Sequence, residues 1–421
     1  MTRPCTLTQV CTAILLVLCC HTLGHCESSW PTWRGPNGNG TALDGRYPTA
    51  WNEKSGIRWK LPLEGRGAST PIELNGLLIL TLGANEENVV LAVDRDGKIA
   101  WQQKVGKEKP GKHAKASGAN SSAVTDGTRI FAYFKSGDLA CLDDAGKVLW
   151  KTNIQSRYGE DSLWWDLGTS PIVTDQCVII TVMQTGPSFL VALDKQTGQE
   201  VWKADRWLDV REEANQSYTT PTMMQIDGVW VIVTLGADHV TAHGAENGKL
   251  LWKLGGFNPD NDGYFRSIAS PVVAGDIVLC PYARGSTLTA VRSQVSLPDS
   301  ERVAWRADFG SDVPTPTVYE GRAYLLSDKG VVTCMDPKSG AILWKESLPK
   351  SNKAYSSSPL IAGDHMYCTR EDSVTFVLGG IRGDAPKLVS QNDLDGFSVA
   401  SPVAIDGRIY LRTYEALYCI E

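Results

Sequence analysis

Cysteine is missing where it could do chemistry. Outside the first 26 residues the chain has no two adjacent cysteines and no Cys-x-x-Cys pair, so neither a zinc knuckle nor a dithiol redox site has residues to start from. His239 and His243 lie four apart, and on a strand that spacing separates them by ~13 Å, too far to share a metal. There is no Ser-His-Asp order, no Walker loop and no Gly-x-Gly-x-x-Gly following a strand, which removes the usual starting points for nucleophilic and nucleotide chemistry. Basic runs are absent too, and the formal net charge is −6. A mildly acidic chain of this kind is a poor nucleic-acid binder.

Long apolar runs are equally scarce. The only one is Val10 to Cys20, preceded by Arg3 and followed by Gly24-His25-Cys26. A positive end, a short apolar stretch and a small-residue site describe a secretory signal over residues 1–26, too short for a membrane span. Leu23-Gly24-His25-Cys26 is also close to a lipoprotein cleavage box, but His before Cys fits that box poorly; cleavage without lipidation is the reading, and a lipid anchor at Cys26 the alternative. Either way the expected location is across the inner membrane, periplasmic or extracellular. Loss of Arg3 takes the charge from −6 to −7. Six cysteines remain: Cys141, Cys177, Cys280, Cys334, Cys368 and Cys419. They are expected as buried free thiols.

What the chain has in quantity is repetition. Leu193-Asp194, a polar turn ending in Gly198, then Trp202 returns as Asp94, Gly97 and Trp101, as Asp143, Gly146 and Trp150, and as Asp336, Gly340 and Trp344. Ala245, Gly248 and Trp252 repeat it without the Asp. An Asp ending one strand can accept from the turn backbone, and the Gly takes the positive φ that turns the chain back. The Trp of the returning strand needs a neighbouring surface over its ring. If that surface belongs to the next repeat, the copies stack.

A second signal shares the period. Thr70-Pro71, Ser170-Pro171, Thr220-Pro221, Ser270-Pro271, Thr315-Pro316, Ser358-Pro359 and Ser401-Pro402 recur, with Ser121-Ser122-Ala123 in the gap. Spacings of about 43 to 52 residues mark a propeller or solenoid array, and eight starts mean eight units. The last unit, after Ser401, stops one strand short, while Ile57-Arg58-Trp59-Lys60-Leu61 is a Trp strand with no unit of its own. The two fragments complete each other. The fold expected is all-β: an eight-bladed propeller of four-stranded antiparallel blades over residues 55–421, closed by an N-terminal strand in the last blade. Residues 27–54, rich in Trp, Pro and Gly, are expected as a lead-in lying over the surface with its aromatics docked. Val389 near the Trp position of unit seven, and the missing Asp-Gly turn of unit five, predict that those two blades are the least regular.

The Asp-x-x-Thr/Ser-Gly-x-x-x-Trp unit with its Ser/Thr-Pro openings resembles the PQQ-type repeat of eight-bladed propellers, a class that includes quinoprotein alcohol dehydrogenases and the BamB-type outer-membrane assembly lipoproteins. The Trp-Pro-x-Trp-Arg-Gly-Pro lead-in looks like that of secreted PQQ-repeat proteins. For the dehydrogenases the resemblance implies a vicinal disulfide against the cofactor, a calcium ion and a catalytic Asp. The disulfide has no counterpart after residue 26. The expectation is therefore a non-catalytic scaffold or protein-binding module of the cell envelope, with no catalytic residue, no metal and no cofactor. A PQQ-linked dehydrogenase with calcium, and a sensor binding a small ligand in the channel, are the alternatives.

Connections near 103–117, 153–168, 204–218 and 254–268 are longer than the later ones, so one side of one face is built up, and function concentrates on such loops. Trp164, Trp165, Arg206 and Trp207 on two of them have the composition of a protein-contact surface. Residues at the inner-strand starts and nearby loops ring one channel mouth: Arg66, Asn120, Asp166, Asn215, Tyr218, Arg266, Arg284, Asp312, Tyr355, Arg370 and Arg412. Such a mixed ring suits an anionic or sugar-like ligand, or a lining whose charges satisfy each other. Asn258 to Gly263 opens like a calcium loop, but Ala269 stands where the bidentate Glu belongs, so it is read as a polar loop.

Overall fold

The computed structural model describes residue 1, residues 30–42 and residues 45–421. The proposed signal and Cys26 lie outside the described residues. From residue 57 on, strands form eight four-stranded antiparallel sheets, seven of them consecutive in sequence. The eighth joins Val403–Ile405, Arg408–Arg412 and Ala416–Ile420 to the N-terminal strand Ile57–Pro62. Blade eight thus takes its outer strand from the start of the chain, with Trp59 opposite Cys419 and Pro62 opposite Ala416.

At the centre, each Ser/Thr-Pro opening binds the next. The amide of Thr70 donates to the hydroxyl of Ser122, Ser122 to Ser170, Ser170 to Thr220 and Thr220 to Ser270. The chain of bonds continues from Ser270 to Thr315, Ser358 and Ser401, and returns from Ser401 to Thr70, every one 2.9 to 3.2 Å long. Each ring residue thus serves as both donor, through its amide, and acceptor, through its hydroxyl. All eight side chains are buried.

Further out, five of the repeat Trp residues lie on the glycine of the next blade's turn. A Cβ at Gly97, Gly146, Gly198, Gly248 or Gly340 would come within 2.4 to 2.7 Å of the ring of Trp59, Trp101, Trp150, Trp202 or Trp305. Four of those indoles donate to a carbonyl of the turn they cover, at Arg95, Asp144, Lys195 and Pro337. The turn Asp accepts as expected: Asp194 takes the amides of Gln196 and Thr197. The Thr197 hydroxyl and these amides hold its carboxyl below the usual range.

Blade five solves the missing turn differently. Arg302 places its guanidinium 4.7 Å over the Trp252 ring and donates to the carbonyls of Gln294 and Leu297, replacing a glycine turn by a cation on the aromatic face. Two 3-10 turns, Ala283–Gly285 and Asp299–Glu301, interrupt this blade. Blade seven is more regular than its lost Trp predicts. Its outer strand Lys387–Asp393 pairs along all of Val374–Gly379 with the one-residue bulge that other blades have.

The lead-in takes a path that the sequence did not specify, crossing one end of the channel. The carbonyls of Trp30 and Pro31 accept from Glu73 and Thr125 in blades one and two, and Ala42 donates to Ile361 in blade seven. Buried Arg34 donates to the carbonyls of Pro316 and Pro359 and to the Thr317 hydroxyl. Gly40 packs on that guanidinium, where a Cβ would clash. The segment has no strand period because its hydrogen bonds go to the exposed ends of other blades' inner strands. As expected, its aromatics dock: Trp30 and Trp51 are buried.

The Trp-on-Gly contact yields a test. Gly198 and Gly127 both have positive φ, but only Gly198 lies under a ring, Gly127 having open space. Gly127→Ala is expected to cost about 1–2 kcal/mol for the backbone alone, and Gly198→Ala a further ~1–3 kcal/mol for overpacking. Urea midpoints measured side by side check the order; equal losses would mean that the ring contact carries no weight.

Candidate functional site

Between the lead-in and the loops, the channel encloses a cavity of about 540 Å³. Trp33 closes one end, because the lead-in bonds to the inner strands one to three residues after the hydroxyl ring. All eight ring Ser and Thr residues line the wall, and residues preceding the inner strands form the opposite mouth. The loop at 108–118 reaches across that mouth. Its Lys115 ammonium pairs at 2.8 Å with the buried carboxylate of Glu371 in blade seven, Ala114 accepts from Arg66, and the His113 ring meets Trp165 edge-on at 5.5 Å.

Of the residues expected at the mouth, Asn120, Asp166, Tyr218, Arg266 and Asp312 line the cavity. Asp166 is fully engaged, accepting from the amides of Lys112 and His113 and from the buried ammonium of Lys135. Arg266 bridges Asp312 at 3.2 Å and Glu213 at 3.4 Å. Burial pushes the Asp312 carboxyl up against the pull of Arg266. It does the same to Asp328, whose carboxylate accepts from the amides of Asp312 and Val313.

The other six are outside the lining. Arg412 is buried and pins blade eight to blade one through the carbonyls of Ser69 and Thr81, at 2.8 and 2.9 Å. Tyr355 is buried under Gly330. Arg370 pairs with Asp372, Arg284 with Glu213, and Asn215 donates to Val210. Arg66 packs over the Tyr414 ring at 4.4 Å.

Sequence reasoning missed Trp33, His113, Lys115, Asp328 and Glu371, all on the wall. The Ser/Thr-Pro period could have found the hydroxyl ring, since eight buried hydroxyls at one radius must face each other. Nothing in the local sequence marks Glu371 or Asp328, which follow second strands in blades seven and six.

The expected contact surface is partly corrected. Trp164, Trp165 and Trp207 are exposed, as predicted, and Trp165 also borders the cavity. Arg206 is not a surface group. Its guanidinium is buried and donates to Thr241 and to the carbonyls of Thr234, Gly236 and His239. Alternation explains it, since neighbours on an extended segment face opposite ways and Arg206 follows the end of Glu200–Asp205.

The six later cysteines are free and buried, and burial pushes the Cys141 thiol up to about 12. Cys141, Cys334 and Cys419 each pair with a Trp across the outer ladder, as Ala92 and Ala192 do. The loop from Asn258 to Gly263 closes on itself, Asn258 accepting from the Asp262 amide and donating to Asp238. Among the described residues no group of three His, Cys, Asp or Glu side chains is arranged for a metal.

A quinone cofactor is a poor fit to this cavity. PQQ is anionic, and the wall offers Asp166, Asp312, Asp328 and Glu371 against Lys115 and Arg266, both already paired with carboxylates. The six described cysteines are dispersed over separate blades, so among the described residues no sulfur pair faces the channel.

An eight-bladed propeller of PQQ-type repeats, closed by its N-terminal strand, is the class that these features define. The family model described as outer membrane protein assembly factor BamB matches residues 42–186, 165–296 and 292–385, and the chain belongs to that family. It is similar to outer membrane protein assembly factor BamB of Yersinia pestis, 24% identical over 299 residues that cover 69% of this chain and 70% of the relative. Among solved structures it is similar to BamB from Moraxella catarrhalis, with a TM-score of 0.61 at 16% identity over 86% of this chain and 98% of that one. A europium-containing methanol dehydrogenase shares the fold, with a TM-score of 0.68 at 12% identity over 92% and 90% of the two chains.

Asp238 gives a pH test of the loop region. Burial raises its carboxyl to about 6, against the donor Asn258. A folded-state value above the ordinary ~3.9 of an unfolded Asp means that the folded chain holds the extra proton. Its contribution is therefore full below about pH 4 and lost as the pH rises through 6. Relative to Asp238→Asn, wild-type stability is expected to fall between pH 4 and 6.5 in urea titrations; a constant difference would refute the assignment.

Proposed function

We propose that the chain is a non-catalytic protein-binding module of a cell envelope, exported by its N-terminal segment and docking its partner on the built-up loop face. The observation that carries this reading is the set of exposed indoles Trp164, Trp165 and Trp207 on the connections at 154–171 and 206–221. Large aromatics exposed beside a packed scaffold have the character of interface anchors. The relatives, outer membrane protein assembly factors, support the same class of role. Among the described residues no helix is long and apolar enough to cross a membrane.

The dehydrogenase reading has only the fold likeness behind it, and fold alone does not carry activity. The docking reading is tested by a photo-crosslinking residue placed at Trp164 or Trp207 in cells producing the chain, with Val295, exposed on blade five, as control. One discrete protein adduct from the first two positions and none from the control is the expected result. With the crosslinker moved to exposed Asp209 on the same connection, Trp164→Ala combined with Trp207→Ala should lose the adduct without loss of fold, since exposed substitutions usually change stability within about ±0.5 kcal/mol. Equal labelling from all three positions would contradict the proposed face.

A further inference from the structure

The hydroxyl ring has more capacity than the fold uses. A Ser or Thr hydroxyl carries one donor hydrogen and two acceptor lone pairs. In each ring residue a lone pair accepts the amide of the preceding blade. Among the described residues, none of the eight hydroxyl hydrogens has a protein acceptor, although every side chain is more than nine-tenths buried and borders the cavity. Eight donors therefore converge on one space. Leaving buried donors without acceptors costs about 1–3 kcal/mol each, so an oxygen-rich occupant, water or ligand, is required.

The charge around the cavity selects among occupants. Lys115, Lys135 and Arg266 are already paired with Glu371, Asp166 and Asp312, and Asp328 brings a further carboxylate. An anion would meet this excess of carboxylates without a free cation, while a cation would face eight hydroxyl hydrogens. A neutral ligand bearing both acceptors and donors matches both parts: its oxygens accept from the ring, and its hydroxyls donate to Asp328 and Asp312. Trp33 at the closed end and Trp165 at the mouth border the cavity with indoles, the apolar surface on which a sugar's C–H groups pack. The volume of about 540 Å³ lies within the ~300–1,000 Å³ of small-molecule sites.

We infer that the channel cavity is a binding site for a neutral saccharide, seated on Trp33 with its ring oxygens and hydroxyls accepting from the Ser/Thr ring. This site shares only Trp165 with the docking surface and is argued from the cavity. It lies deeper in the channel than the exposed Trp164 and Trp207, so the two can be occupied together.

The test is a titration of the purified mature chain with maltose, cellobiose and trehalose, and with citrate and phosphate as anionic probes. It is read by saturation-transfer NMR and tryptophan fluorescence. Saturable binding of at least one disaccharide is expected, weakened about threefold to tenfold by Trp33→Leu, the range of an aromatic platform. Thr220→Ser, which keeps the hydroxyl, should bind as wild type. If Trp33→Leu does not fold, an intermolecular NOE from the Trp33 indole to the sugar in the wild-type chain reads the same contact. No saturation by any disaccharide with the chain folded, binding of citrate or phosphate in place of sugars, or sugar binding indifferent to Trp33 would each overturn the assignment.

Discussion

The structure depends on a closed circuit in which the amide of the Ser or Thr opening each inner strand donates to the hydroxyl of its counterpart in the next blade. One such bond contributes only about 0.5–1.5 kcal/mol, far less than the burial of a blade's apolar face. Its weight comes from closure. Every amide has a partner only if eight blades stand at the same height and the last returns to Thr70, so the circuit fixes blade number and inner-strand register together. The strand Ile57–Pro62, the Arg412 pin and Trp59 on Gly97 reinforce the same seam.

Around the circuit, the Trp-on-Gly contact sets the spacing of the outer strands and tolerates substitution where a blade can supply another cover. Arg302 over Trp252 is one such cover. Three buried guanidiniums, Arg34, Arg206 and Arg412, are held by carbonyl and hydroxyl oxygens. Each ties together carbonyls of separate backbone segments, which is why Arg206 and Arg412, read from sequence as binding groups, are structural here.

The period, the blade count, the closure and the unequal loops were legible in the sequence because each is a local pattern repeated at a fixed interval. The path of residues 30–42 was not, because the partners of Arg34 lie at Pro316 and Pro359 and no periodicity connects them. The cavity was half legible. Asn120, Asp166, Tyr218, Arg266 and Asp312 follow from their position before an inner strand, whereas Lys115 reaches Glu371 across the channel. Arg206 was misread for a different reason: a charged residue next to an exposed one was taken to share its exposure, and an extended backbone turns the two apart; Arg412, assigned to a mouth loop, is the last residue of the strand Arg408–Arg412 and reaches Ser69 and Thr81 of blade one.

An interlocked ring should open as one body, since any blade that leaves strands an amide on one side and a hydroxyl on the other. Native-state hydrogen exchange at the amides of Thr70, Ser122, Ser170, Thr220, Ser270, Thr315, Ser358 and Ser401 reads this directly. The account predicts one common free energy of opening for all eight, equal to that of global unfolding. A spread of values, with blades five or seven exchanging through their own lower-energy openings, would contradict it.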